Sequence, residues 1–99
     1  MADPKIAKLI GVKVAGANID EQVTLKNLTR GGEITQKIAG ADRTTIFNPA
    51  PNLQWQDGDF VQAEMNGRLK GYKREILKAA GTQISITASA DTASPGVTL

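Results

Sequence analysis

The chain has 99 residues, which is room for one domain around one core. Twelve Lys and Arg stand against ten Asp and Glu, a formal charge of +2, so no basic excess points to nucleic acid as a partner. There is no Cys and no His. Disulfides, thiolate nucleophiles, imidazole bases and the usual zinc ligand sets are excluded together, and the expectation is a non-enzymatic protein without a cofactor.

Residues 1–9, MADPKIAKL, form an N-terminal arm without the apolar core and small-residue cleavage site of a secretory signal, so synthesis in the cytoplasm is expected. No run in the chain approaches the ~18 apolar residues that a helical membrane span needs. From residue 10 the pattern changes. Ile10, Val12 and Val14 alternate with Gly11 and Lys13, the period of a half-buried strand, and Gly16-Ala17-Asn18 ends it with turn chemistry.

Val23 and Leu25 predict a second strand and Ile34, Gln36 and Ile38 a third, joined across Gly31-Gly32 as a hairpin. Thr44 to Phe47 is a fourth. Asn48-Pro49-Ala50-Pro51-Asn52 then leaves the sheet, because its two prolines lack amide donors. Asp57-Gly58-Asp59 launches the clearest strand, Phe60 to Met65. For the next hairpin, a loop of Met65-Asn66-Gly67 with Gly67 left-handed sets Glu64 opposite Arg68 and Ala63 opposite Leu69. A sixth strand runs to Ile76 or Leu77; a short helix over Tyr72 to Ala80 is the alternative. Gln83 to Ala88 is the seventh strand. The domain therefore spans residues 10–88, and residues 89–99 form a small, polar C-terminal tail.

These segments predict an all-β, immunoglobulin-like β-sandwich of about seven strands with extended termini. Its core comprises Ile10, Val12, Val14, Val23, Leu25, Ile34, Val61, Ala63, Ile84 and Ile86. Few residue groups suggest chemistry. Asp57 and Asp59, with Asp20 or Glu21, offer carboxylates to a calcium ion, but Asp-Gly-Asp is equally a strand-entry turn that caps backbone donors, and no metal is expected. Trp55 is either a binding ring or the plug at one end of the core. Arg68, Lys70, Lys73, Arg74 and Lys78 make the most polarised stretch, flanking Tyr72; on an edge strand such cations also block unwanted pairing. Ile6, Leu9, Val97 and Leu99 are apolar residues that the core does not use, and they are candidates for docking on a neighbouring molecule.

The segment Val23-Thr24-Leu25-Lys26-Asn27-Leu28-Thr29, followed by Asp57-Gly58-Asp59 and an alternating strand, resembles the immunoglobulin-like and transthyretin-like modules of prokaryotic surface proteins and of tailed-virus decoration or tail proteins. The resemblance covers roughly residues 10–88. It implies a structural subunit of a virion with protein partners, a capsid or a self-assembled lattice, and possible homo-oligomers. It implies no catalytic residue, nucleic acid or membrane. The alternatives are a cell-surface or pilus-like subunit, or a carbohydrate-binding sandwich that uses Trp55 and Tyr72.

Overall fold

Alternation of apolar and polar side chains sets the strands, and the turns between them are marked by Gly, Asn and Asp. The structure, a computed structural model, describes residues 6–49 and 53–90. Its strands are β1 (Ile10–Val14), β2 (Gln22–Asn27), β3 (Glu33–Lys37), β4 (Thr44–Phe47), β5 (Phe60–Asn66), β6 (Leu69–Ile76), β7 (Thr82–Ile86) and a two-residue β8 (Ser89–Ala90). The described residues contain no helix. They make the expected all-β sandwich: a three-stranded sheet, β4-β1-β7, faces a sheet of order β3-β2-β5-β6-β8.

The first two strands of an immunoglobulin constant domain share a sheet. Here β1 and β2 lie in opposite sheets, and β1 sits between β4, antiparallel to it, and β7, parallel to it. Ile10, Val12 and Val14 on β1 meet Val23, Leu25, Val61 and Ala63 on the facing sheet, and Ile84 and Ile86 extend the layer. All of these are buried; Ile34, also expected in the core, is half-buried and packs against its rim. Ala7, Ala17, Ile38, Phe47, Trp55, Met65, Leu69 and Leu77 complete the core.

Both sides of the sandwich are fastened. On one, Gln36 of β3 reaches across to β4, where its Nε2 donates to the Ile46 carbonyl (2.8 Å) and to Thr45 Oγ1 (3.1 Å). On the other, the chain passes from β7 directly into β8, so it switches sheets within two residues. Gly71 permits that crossing. A Cβ built on it would lie 3.0 Å from Ala88 Cα, a main-chain neighbour that can yield only if the crossing itself moves.

Two expectations are corrected. The β5–β6 register is Asn66↔Lys70, Glu64↔Tyr72 and Val61↔Glu75, so β5 runs on through Asn66, the turn holds Gly67 and Arg68, and β6 begins at Leu69. Gly67 also lacks the left-handed backbone assigned to it. The expected pairing of Glu64 with Arg68 fails because each charge has another partner: Lys26 Nζ lies 3.4 Å from Glu64 and Glu21 holds Arg68. The faces are preserved, since the shift is an even number of positions. The helical alternative over Tyr72 to Ala80 is not adopted; the stretch through Ile76 keeps its ladder with β5. So short a segment between glycines does not offset the cost of helix nucleation.

Leu25 and Ile84 come from opposite sheets and are closed off from solvent, so Leu25→Ala or Ile84→Ala should each cost about 2–5 kcal/mol. Ile46→Ala, on the outer face, should cost well under 1 kcal/mol. Urea denaturation of the three variants measures the contrast.

Candidate interaction surface

The Asp57-Gly58-Asp59 turn brings the first acidic candidate to the structure, and its two carboxylates differ. Asp57 is exposed; Asp59 is buried. Oδ2 of Asp59 accepts hydrogen bonds from Arg30 Nε (2.6 Å), the Gln56 amide (2.9 Å) and Asn27 Nδ2 (3.0 Å). Asn27 Oδ1 in turn accepts from the amides of Thr29 and Arg30, which closes the β2–β3 turn, and Thr29 Oγ1 accepts the Phe60 amide. The carboxylate therefore serves as a structural anchor, and among the described residues no three acidic groups gather as a metal site would require. Burial acts to raise the Asp59 pKa, but the Arg30, Gln56 and Asn27 hydrogen bonds, with the Arg30 charge, outweigh it and hold the carboxyl below its ordinary value.

Glu21 is the second anchored acid. Its carboxylate receives Arg68 Nε (2.8 Å) and Nη2 (3.2 Å) and the Asn18 amide (2.8 Å), joining the β1–β2 loop to the β5–β6 turn. Those bonds lower its pKa, with the Arg68 hydrogen bond the largest cause.

The structure separates the basic stretch. Arg68 is held by Glu21, so it is not a free cation for a partner. Lys70, Tyr72 and Arg74 alternate onto the outer face of the larger sheet, whereas Lys73 falls on the opposite side of the strand. Arg74 donates to Gln62 Oε1 (2.8 Å) and lies over the Tyr72 ring, 5.3 Å from its centroid. Lys78 follows the strand, and its amide bonds to Thr82 Oγ1. The cations therefore form no single basic surface.

Trp55 requires a correction as an interaction residue. It is 1% exposed and packs in the core, the plug of the alternative reading, with its indole beside Gly32 of the β2–β3 turn. The Ala7 amide donates to the Trp55 carbonyl (2.7 Å) and Ile6 forms a bridge with Gln56, so part of the arm docks on its own domain. Ile6 is consequently half-buried. Leu9 remains exposed, beside Ile46 over a shallow depression floored by Gly11. Val97 and Leu99 lie outside the described residues.

The apolar surface that sequence reasoning missed is a row from the start of the β2–β3 turn across β5 and β6. The Leu28 amide donates to the Phe60 carbonyl (2.7 Å), and Phe60 stands opposite Ile76 in the β5–β6 register. Leu28 is 47% exposed, Phe60 38% and Ile76 51%, and Tyr72, on the same outer face, is 60% exposed. The signal was present: once Val61 and Ala63 point inward, Phe60 must point outward.

The Asp59 anchor predicts a pH dependence. A carboxyl whose folded-state pKa is depressed contributes fully above its unfolded value of about 3.9, and the contribution is lost as pH falls through the lower folded value. Asp59→Asn should cost about 1–3 kcal/mol near pH 7, discounted because Arg30 is partly exposed. The gap between wild type and variant should narrow as pH falls below about 4, measured by urea denaturation along a pH series.

The chain matches no protein-family model, no curated protein and no solved structure.

Proposed function

We propose that the protein is a non-enzymatic structural subunit that acts through protein–protein contact, as a capsid-decorating or tail-associated component of a tailed virus. The observation that carries this reading is the row Leu28, Phe60 and Ile76 with Tyr72 nearby. Alternation reserves the outer face of a sandwich for polar side chains, and contiguous apolar residues on it serve a contact. The anchored acids Asp59 and Glu21 support the same reading, since their carboxylates are taken up by the turns they fasten. The virion form comes from the likeness of the strand pattern to decoration and tail modules. Burial of Trp55 leaves the carbohydrate-binding alternative with only one of its two rings, Tyr72.

The test is incorporation. The chain is produced with the genes that neighbour its own, and assembled particles are separated by density gradient. Wild type should travel with the particles, and a Phe60→Ser/Ile76→Ser variant should stay at the top of the gradient while keeping its melting temperature within a few degrees. Recovery of the wild type only on the cell envelope would replace the virion form with the surface-subunit form. Equal incorporation of the variant would remove the apolar row as the contact.

A further inference from the structure

A β-sandwich is open at its sheet edges, and the edges of this one differ. The outward carbonyls of β4 are occupied, Thr44 by the Gly40 amide and Ile46 by Gln36. β3 carries a charge near each end, Glu33 and Lys37, a usual guard against further strands. On β7 the Thr82 amide bonds to Leu9 and the Ile86 carbonyl to Ala15, so only Gln83 and Ser85 direct their main-chain groups outward.

The β6 edge is longer and less guarded. The Leu77 amide bonds to the Asp59 carbonyl and the Gly67 amide to the Leu69 carbonyl, which turns the odd-numbered residues of this strand toward β5. Tyr72, Arg74 and Ile76 therefore direct their N–H and C=O groups away from the sheet. Lys70 belongs to the same set, and its outward side is where β8 pairs, through Ser89. Beyond Gly71 the only hydrogen bond on this side among the described residues is a loose local one, from the Ile76 amide to its neighbour Glu75 Oε1 (3.3 Å).

We infer that β6 pairs antiparallel with β6 of a second copy of this chain, about a twofold axis at Arg74, continuing the larger sheet across two molecules. Three features of the strand select that occupant. First, the open stretch is bounded by β8 at Lys70 and by the end of the strand at Ile76, so a copy centred on Arg74 fills it without displacing β8. Second, the register sets Tyr72 opposite Ile76 and Lys73 opposite Glu75, each pair occurring twice by symmetry. Lys73 and Glu75 have no ion-pair partner among the described residues. Third, the one like-charge pair within the stretch from Tyr72 to Ile76, Arg74 with its copy, is relieved because Arg74 is bonded to Gln62 of β5 and lies over the Tyr72 ring of its own strand. Charges such as Lys73 ordinarily exclude a neighbour from an edge; here the neighbour brings the matching charge.

The pairing extends the apolar row as well. Ile76 would lie against Tyr72 of the second copy, joining the outer faces of both molecules. The inference goes beyond virion incorporation and stands or falls separately from it, because it is read on the isolated protein.

The experiment is sedimentation equilibrium of the full chain from about 1 µM to 1 mM, with Lys73→Glu, Glu75→Lys and the double variant carrying both. Wild type should dimerise reversibly. Each single variant sets like charges against each other twice and should weaken dimerisation about tenfold; the double variant restores complementarity and should return to within about threefold of wild type. Hydrogen exchange supplies the second readout: the Tyr72, Arg74 and Ile76 amides should gain protection as the dimer forms. A wild type that stays monomeric throughout, or a dimer indifferent to both single variants, overturns the inference. Dimerisation without incorporation into particles would leave the inference standing and remove the proposed function alone.

Discussion

The Asp59 carboxylate is the constraint on which the larger sheet depends. It is buried at the point where β5 begins, and it gathers Asn27 from the end of β2, Arg30 from the β2–β3 turn and the Gln56 amide from its own loop. A carboxylate withdrawn from water must be compensated by several donors, and these donors come from segments about thirty positions apart in sequence. Satisfying the charge therefore fixes where the hairpin lies relative to β5. It also sets the frame for Trp55, whose carbonyl receives the arm. The same bonds that stabilise the turn account for the absence of an open carboxylate site there.

Polar links elsewhere repeat this arrangement on a smaller scale. Glu21 and Arg68 tie the loop before β2 to the turn before β6, and Gln36 ties one sheet to the other. The core contains mostly Val, Ile, Leu and Ala, which pack well but specify position weakly. Directional bonds at the rim supply the specification: a slip of β2 against β5 would break the links at Asp59 while leaving the apolar contacts nearly as good.

Most of the fold was legible because its signal is local. The strands around Val12, Leu25, Ile34, Val61 and Ile84 each carry their own alternation, and Gly-Gly and Asp-Gly-Asp mark their boundaries. The β5–β6 register was not legible, since the expected loop and the observed turn both keep the faces of the same Asn66-Gly67 sequence. What decides among them is remote: Glu21, forty-seven positions away, takes Arg68, and Lys26 takes Glu64. The surface followed the same division. That Phe60 and Ile76 are exposed follows from parity once the strands are assigned, but that they stand side by side needs the register. Trp55 was ambiguous for a related reason, since Gly32 beside its indole and the Ala7 amide on its carbonyl reach it only through the fold.

The parallel pairing of β1 with β7 has a consequence for the order in which the molecule is made. The main strands of the larger sheet, β2, β3, β5 and β6, follow one another along the chain with only β4 intervening, whereas the smaller sheet is assembled from pieces near residues 10, 45 and 85. During synthesis β1 emerges first and has no partner until β4 appears, and its second side stays open until β7 has left the ribosome. For most of that interval one face of the larger sheet has no lid. Closure of loops this long is slow, so the last strand sets the moment at which the nascent chain stops exposing its core.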